Sequence, residues 1–310
     1  MNVLGLFSGI GGFEYGLQNV GYNINSLCEI EPYPISVLDK NFPNIPIISD
    51  VRNISKKQFN DIDVIVGGFP CTDISRAGKM NGGIKGEKSG LWFEFRRIID
   101  EIKPKYAIIE NVNSILGNGL ETVLSNLAEI GYDATWTTYD TKYFGLPQRR
   151  SRVYIIAVRD GIPDNTEIFN FTERSTDKHK YEVQSVKKGF EWNFTENGNS
   201  ESSFAYFTRQ RSDEFACTGL SSTLMKRDYK DFTDIIYQDN KLRKVTPTER
   251  MLLQGFPKDW LIESTNTNMY SCNGMSVPVI EEIGKQLLDF DKKYGKMVYS
   301  KNIKQQKALF

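Results

Sequence analysis

The chain has 310 residues, enough for one large domain and a smaller one, with the composition of an ordinary globular protein. Its 39 basic and 39 acidic side chains cancel, so the net charge gives no indication of a nucleic-acid partner. No apolar run approaches the ~20 uncharged residues that span a bilayer, and residues 1–13 lack the basic flank of a signal peptide. We therefore expect an intracellular, cytoplasmic protein without a membrane partner.

The cysteines and the histidine argue against several kinds of site. The four cysteines lie far apart, at positions 28, 71, 217 and 272, with the spacing of neither a zinc site nor a disulfide framework. The single histidine, His179, lies in a polar stretch, which argues against a hydrolase that depends on histidine. We expect no metal site.

In chain order, the first part alternates short apolar runs with amphipathic stretches. Strands are predicted at 2–6, 23–28, 46–48, 63–66 and 106–109, and helices at 13–20, 33–42, 91–102 and 120–130. This alternation predicts an α/β fold of the doubly wound, Rossmann-like kind, a parallel sheet with helices on both faces. Residues 133–140 and 153–158 are typical of two longer strands that form an antiparallel pair at the sheet edge.

The pattern degrades from residue 161, where polar residues and scattered aromatics show no sustained period. We place a domain boundary near residue 160 and expect a small, irregular second domain. Order returns at Thr246, which is placed to cap a helix with Pro247 at its first position. A final amphipathic helix is predicted at 277–290, followed after residue 292 by a polar tail that we expect to fray.

A glycine-rich segment, Phe-Ser-Gly-Ile-Gly-Gly at 7–12, follows the first strand and opens a helix. Glycines there allow close backbone approach to a ligand at the helix N-terminus, although a tight turn alone would look the same. Glu29 ends the second strand, where a carboxylate binds ribose hydroxyls, and Asp50 ends the third, near an adenine amino group. No lysine follows the glycines, so an adenosine-containing ligand is favoured over a bare phosphate; solvated acids at strand ends remain the alternative.

A second candidate site is Gly-Gly-Phe-Pro-Cys at 67–71, at the carboxyl end of the fourth strand. Ligands of open α/β sheets bind at this edge, so Cys71 is predicted to be exposed and reactive instead of a core residue. Residues 72–90 contain five glycines and four basic residues against two acidic ones. This composition favours a mobile, positive loop that closes over a phosphate backbone, with an ordinary surface loop as the alternative.

Two further segments carry charged groups. Glu110 ends the next strand, where a carboxyl among apolar neighbours is able to donate a hydrogen bond in its neutral form. Arg150 and Arg152 alternate along an extended segment, which predicts that both point to one face, toward a carbonyl oxygen, phosphate or carboxylate. A basic surface patch is the alternative.

Taken in order, these segments resemble the motifs of the DNA (cytosine-5) methyltransferases, the modification methylases of bacteria and phages. The resemblance covers about residues 2–160 and 218–290, and includes the later segments 219–224, 246–257 and 274–279. It implies an S-adenosylmethionine-dependent methyltransferase domain at 1–160 and a small target-recognition domain at 161–245. A segment at 246–292 would return to the catalytic domain, and 293–310 would form the polar tail.

The resemblance also implies a reaction. Cys71 would add to a cytosine that is flipped out of the duplex, and Glu110 would bind the ring nitrogen and exocyclic amine. Arg152, with Arg150, would hold the carbonyl oxygen of the base and the anionic groups of the site. Carbon 5 would receive the methyl group of S-adenosylmethionine, leaving S-adenosylhomocysteine. The implied loop contacts to DNA are Ser75, Arg76 and Lys79.

The cofactor contacts that the resemblance implies come from six segments. Phe7 would pack on the adenine, Glu29 would bind the ribose, and Pro70 would lie near the sulfur. The full set is Phe7, Ser8, Gly9, Gly11, Gly12, Glu29, Ile30, Asp50, Val51, Pro70, Leu91 and Ser276. Two positions depart from the family pattern: Thr72 replaces a common Gln, and Met275 replaces the usual Asn. At the second position Ser276, the backbone or Asn273 would supply the missing contact.

The segment from 161 to about 218 occupies the place of the target-recognition region. Arg209, Gln210 and Arg211 are candidates for reading bases, since Arg and Gln pair with guanine and adenine edges, although ordinary surface charge explains them equally well. The implied partners are double-stranded DNA and a cognate restriction endonuclease of a restriction-modification system. The implied state is a monomer in the prokaryotic cytoplasm, at the nucleoid.

Two rival functions stay open. An RNA cytosine-5 methyltransferase acting on transfer RNA would share the motifs, and the short insert and zero net charge are compatible with it. A DNA-binding homologue without catalysis is the other, and four intact residues argue against it: Cys71, Glu110, Arg150 and Arg152. A nicotinamide-linked dehydrogenase is rejected, because it leaves Cys71 and the two arginines unexplained.

Overall fold

The computed structural model describes residues 1–70, 90–159, 204–209, 215–217, 220–230, 234–238 and 241–307. The chain divides into two compact units. The first unit is Met1–Tyr139, Ser151–Phe171 and Val279–Phe310, and the second unit is Asp140–Arg150 and Thr172–Pro278.

The first unit is built on a sheet of seven strands within the described ranges, in the order β3-β2-β1-β4-β5-β7-β6. The strands are β1 (Asn2–Leu6), β2 (Asn23–Cys28), β3 (Ile47–Ile48), β4 (Val64–Gly67), β5 (Tyr106–Val112), β6 (Tyr132–Asp140) and β7 (Ser151–Arg159). The first five pair in parallel, and β7 pairs antiparallel with β5. The chain runs outward from β1 to β3 and returns to β4, which confirms the predicted doubly wound plan.

The helices of the first unit connect these strands. They are α1 (Gly12–Asn19), α2 (Pro32–Asn41), α3 (Leu91–Ile102), α4 (Ile115–Asn118) and α5 (Leu120–Glu129). Helix α3 begins and ends where the apolar spacing predicted, because Trp92, Phe95 and Ile99 recur on one face and are fully buried. They join the core formed with β1, β4 and β5.

The last helix of the chain, here α8, is longer than the sequence pattern predicted. It spans Val277–Lys307, and its buried side chains include Ile280, Ile283, Leu287 and Phe290 at helical spacing. The apolar spacing stops beyond residue 290, and the sequence therefore predicted a frayed tail from residue 293. The helix nevertheless continues to Lys307.

The second unit contains an antiparallel sheet instead of the irregular structure that we expected. Its described strands are β8 (Phe204–Arg209), β9 (Phe215–Cys217), β10 (Asp234–Gln238) and β11 (Lys241–Lys244), in the order β11-β10-β8-β9. Each strand is short and its aromatics are scattered, so no period was visible in the sequence. A small core of Leu224, Ile236, Val245 and Leu253 lies beside it.

Two short helices complete the second unit, α6 (Pro247–Leu252) and α7 (Asn266–Ser271). The predicted cap of α6 is present: Glu249 N–H donates to Thr246 Oγ1 at 3.2 Å, and Thr246 N–H donates to Glu249 Oε2 at 2.8 Å. The observed division differs from the expected domains, because 140–150 and 246–278 both group with the second unit and the chain returns to the first at Val279.

No helix in the described part of the chain is both long and apolar enough to cross a membrane. Among the same residues, no group of three or more His, Cys, Asp or Glu side chains is placed to hold a metal ion.

Candidate active site

The candidate site lies at the carboxyl edge of the parallel strands of the first unit. Strands β1, β2, β4 and β5 run in one direction, so the segments that follow them meet at one edge of the sheet. Those segments carry the glycine-rich loop 7–12, Glu29 and the glycines before Cys71, and Glu110 lies in the last three residues of β5. The topology thus gathers groups that are separated by up to a hundred residues in the sequence.

The glycine-rich loop is a tight turn that exposes backbone groups. Phe7, Gly9 and Gly11 have φ values of 53°, 55° and 86°, in the left-handed region that favours glycine. A Cβ on Gly11 would collide with the ring of Phe42. Ser8 N–H donates to Cys28 O at 2.9 Å, which fixes the turn against the end of β2.

Glu29 joins this loop to the end of β2. Its Oε2 accepts a hydrogen bond from Gly9 N–H at 2.7 Å, and its Oε1 accepts from Ile30 N–H and Glu31 N–H, both at 2.9 Å. A carboxylate oxygen has two lone pairs, so Oε2 keeps one acceptor position for a further donor. The residues present therefore fit a ribose hydroxyl at Glu29.

Apolar side chains lie beside these polar groups. Ile30 is 61% exposed directly after Glu29, and Phe7 is partly buried with its ring 6.2 Å from that of Phe95. Leu91, at the start of α3, packs partly buried against the core. Exposed apolar surface next to an acceptor for a hydroxyl is the pattern expected of a nucleoside site.

Asp50 precedes a short 3₁₀ turn, Val51–Asn53, and its carboxylate is engaged by Arg52. Arg52 Nη2 lies 2.6 Å from Asp50 Oδ2, and Arg52 N–H donates to Oδ1 at 2.9 Å. Hydrogen bonds from Arg52 hold the pKa of the Asp50 carboxyl below its usual value, so the group is ionised and can only accept. A ligand amino group at this carboxylate would share it with Arg52.

Arg97 on α3 holds the same turn from behind, a role that the sequence did not reveal. Its guanidinium donates to Ile54 O at 2.9 Å and to Val51 O at 3.3 Å, while Glu94 and Glu101 pair with it. The only sequence signal was the helical spacing of three charges, which is also typical of a solvated helix face.

Glu110 and Arg152 meet on neighbouring strands. In the β5–β7 pairing Val112 lies opposite Arg152, so Glu110 is the diagonal neighbour on the same face. Glu110 Oε1 and Arg152 Nε are 3.2 Å apart, and both side chains are largely buried. A carboxylate and a guanidinium that are fixed together in this way offer an acceptor and several donors to one planar ligand.

Asn111, the residue after Glu110 on β5, was not assigned a role from the sequence. It is buried, its Nδ2 donates to Phe69 O at 3.5 Å, and its Oδ1 accepts from Val112 N–H at 2.9 Å. Phe69 stands two residues before Cys71, so Asn111 links the end of β5 to the backbone that leads to the predicted nucleophile.

Several predicted site residues lie outside the described residues: Cys71, Ser75, Arg76, Lys79, Gln210 and Arg211. Pro70 is the last described residue before this gap, and Arg209 ends β8 with only its backbone described. These assignments stay predictions.

The remaining predicted residues belong to the second unit. Arg150 is buried immediately before β7, with its N–H donating to Asp140 Oδ1 at 3.2 Å. Ser276 is also buried, and its Oγ has no hydrogen-bond partner in the described ranges. Asn273, the suggested replacement for the missing Asn, instead accepts from Arg250 Nη2 at 2.8 Å, which commits its side-chain oxygen to the interior of the unit.

The comparisons with known proteins agree with this geometry. The family of C-5 cytosine-specific DNA methylases matches residues 1–289. The Type II methyltransferase M1.ScrFI of Lactococcus lactis subsp. cremoris is 32% identical over 311 residues, which cover 93% of this chain and 78% of the relative. The Type II methyltransferase M.SsoII of Shigella sonnei is 29% identical over 308 residues, covering 92% and 79%.

A solved structure gives the fold independently. The Dnmt2 methyltransferase of S. pombe superposes with a TM-score of 0.70 at 18% identity, covering 94% of this chain and 99% of that one. The sheet order and this superposition confirm a Rossmann-like methyltransferase fold. Because the family match spans nearly the whole chain, the protein belongs to the C-5 cytosine-specific DNA methylases and is a DNA (cytosine-5) methyltransferase.

Proposed function

We propose that the protein methylates carbon 5 of cytosine within a specific sequence of double-stranded DNA, with S-adenosylmethionine as donor and Cys71 as a covalent catalyst. The observation that carries this proposal is the Glu110–Arg152 pair at the carboxyl edge of the sheet. Asn111, next to Glu110, binds the backbone two residues before Cys71. An acid, a cation and the backbone of Phe69, two residues before Cys71, thus lie on or just after neighbouring strands of the sheet that carries the nucleoside loop.

Residues of the first unit would hold the donor. Glu29 would accept from the ribose, the ionised Asp50 would accept from the adenine amino group, with Val51 N–H beside it, and Ile30 and Phe7 would cover the base. S-adenosylmethionine supplies the methyl group when it is bound. Ser276 belongs to the second unit, and its role in cofactor binding stays a prediction.

The protein's own groups would activate the base. Carbon 5 of cytosine is a poor nucleophile, and addition of the Cys71 thiolate to carbon 6 converts the ring to an enamine. Glu110 would bind the ring nitrogen and the exocyclic amine, and Arg152 would bind the carbonyl oxygen, so that both stabilise the charge that develops on the ring. After carbon 5 has taken the methyl group, its proton would pass to solvent, and cleavage of the bond between carbon 6 and sulfur would release the methylated base and the thiolate.

Access to the base and choice of sequence would come from the rest of the chain. A cytosine in a duplex must be flipped out, at a cost of a few kcal/mol. We propose that the basic segment with Ser75, Arg76 and Lys79 closes on the flipped nucleotide, and that 161–245, with Arg209 and its neighbours, reads the sequence. A cognate restriction endonuclease would recognise the same site.

Bisulfite sequencing of a plasmid from cells that express the chain tests the proposal, beside cells that express Cys71→Ala. We expect protected cytosines within one repeated sequence for the wild type and none for the variant. Protection that persists with the variant would contradict the role of Cys71. Absence of protection despite folded protein would contradict the DNA substrate, and transfer RNA would then be assayed in the same way.

A further inference from the structure

A buried carboxyl lies directly beneath the glycine-rich loop. Glu14, in the first turn of α1, is 1% exposed, and its side chain returns toward β1. A Cβ on Gly5 would collide with Glu14 Oε1 and would lie 3.0 Å from Ser8 Oγ, so the carboxyl packs between β1 and the loop. Among the described residues, neither of its oxygens has a hydrogen-bond partner of good geometry.

Stability alone does not explain this carboxyl. A buried polar group with poorly satisfied hydrogen bonds costs about 1–3 kcal/mol, and an apolar side chain of similar size would avoid that cost. The mechanism proposed above does not use Glu14 either. Because Glu14 lies beneath the glycine-rich loop, it is placed to act on the ligand that this loop binds.

The groups that face Glu14 leave it free to titrate near neutral pH. Strand β1 has no titratable side chain, the end of β2 contributes Cys28 and Glu29, and α8 contributes Glu281, which binds Asn19 at the far end of α1. Burial raises the pKa of Glu14 to about 7, with the Ser8 hydroxyl opposing the rise and Glu29 adding to it. Burial raises the pKa of Cys28 to about 12, so that thiol stays neutral.

The proposed donor and product differ in charge at one atom. S-adenosylmethionine carries a positive sulfonium, whereas S-adenosylhomocysteine has a neutral thioether and is otherwise the same molecule. A negative charge held in a low-dielectric interior attracts the first ligand more than the second.

We propose that Glu14 is a specificity-determining residue of the donor site, whose ionised carboxyl favours the sulfonium donor over the thioether product. This inference rests on the proposed use of S-adenosylmethionine. Once the methyl group has left, the attraction is lost and the product is held less tightly. Below pH 7 the carboxyl is protonated and neutral, so discrimination is absent; above pH 7 it is ionised, and discrimination appears.

Calorimetry with both ligands at pH 6 and pH 8 tests this, on the wild type, Glu14→Gln and the exposed control Asp39→Asn. The quantity to compare is the affinity for S-adenosylmethionine divided by the affinity for S-adenosylhomocysteine. Because the ligands also titrate, the change in this ratio from pH 6 to pH 8 is compared with the change in Glu14→Gln. We expect the ratio to rise on the order of tenfold more in the wild type and in Asp39→Asn than in Glu14→Gln. Equal changes in wild type and Glu14→Gln would overturn the proposal.

A measurement on the wild type alone complements the variant. Carbon-13 NMR of the glutamate carboxyls should give Glu14 a lower pKa in the S-adenosylmethionine complex than in the S-adenosylhomocysteine complex, because coupling between sites is reciprocal. Equal pKa values would overturn the inference while leaving the proposed function intact. Failure of either ligand to bind at both pH values would instead remove the proposed cofactor, and this inference with it.

Discussion

The two units hold their polar groups in different ways. In the first unit, Glu29 and Glu110 lie where parallel strands end, and the sheet itself brings them to one edge. In the second unit, one buried cation collects partners from separate segments: Arg250 binds Asp228, Asn273 and the carbonyls of Met225 and Tyr270. Topology therefore positions the first set of groups, whereas a single side chain positions the second.

This difference has consequences for mutation. A polar group at the sheet edge of the first unit can be removed while the apolar core that carries the edge remains. In the described part of the second unit, Arg250 links several loops by hydrogen bonds beside a cluster of four buried apolar residues, so we expect these loops to depend more on Arg250. We therefore expect loss of a polar group in the first unit to reduce activity before stability, and loss of Arg250 in the second unit to reduce stability first.

Replacement of Arg250 is expected to have the largest effect of the variants that test this difference between the two units. Arg250→Met removes the cation that pairs with the buried carboxyl of Asp228, so we expect the second unit to lose ~3–5 kcal/mol of stability. Hydrogen exchange of second-unit amides measures this loss, with the exposed Lys258→Met as a matched control that leaves exchange unchanged. Equal exchange in both variants would contradict the dependence on Arg250.

The pair at the sheet edge should show the opposite behaviour. Glu110→Gln and Arg152→Met each remove a group that would act on the base, and we expect methylation rates to fall roughly 10²–10³-fold. Binding of S-adenosylmethionine should stay unchanged, because other strands carry its contacts. Rates from single-turnover assays, beside the exposed control Glu121→Gln, check this, and a loss of cofactor affinity equal to the loss of rate would count against the assignment.

A smaller effect is expected at the loop. Glu29→Ala removes three backbone hydrogen bonds to a carboxylate, and we expect the Kd of S-adenosylmethionine to rise roughly 10–100-fold. Met275→Asn, which restores the residue usual for the family, should change that Kd less. Calorimetry that finds the reverse order would overturn the cofactor assignment.

Much of the first unit could be predicted because its elements repeat simple patterns. Strands β1 and β2 and helix α3 have the bounds that apolar spacing indicated. Strand β5 is longer than predicted, since it continues through Glu110 and Asn111, whose polarity breaks the apolar run while pairing with β7 maintains the strand. Position near a strand end predicted that Glu29 and Glu110 lie at one edge of the sheet, while their roles there stay predictions.

Contacts that depend on the folded arrangement of separate segments could not be predicted from the sequence. Glu14 looks in the sequence like an ordinary acid in the first turn of a helix, and only the fold places it beneath the loop. Asn273 looked like a ligand contact by proximity in sequence, yet Arg250 binds it. The sheet of the second unit was missed because its strands are too short for alternation to be distinguished from chance.

The most direct measurement of the central claim is to trap the covalent step. DNA in which 5-fluorocytosine replaces cytosine cannot lose a proton from carbon 5, so elimination of the thiolate is blocked and the enzyme stays attached. With S-adenosylmethionine, we predict a complex that survives denaturation, with the DNA on the peptide that contains Cys71. It should form with Cys28→Ala and not with Cys71→Ala. A complex that persists in Cys71→Ala, or no complex from a protein that methylates ordinary DNA, would contradict the account.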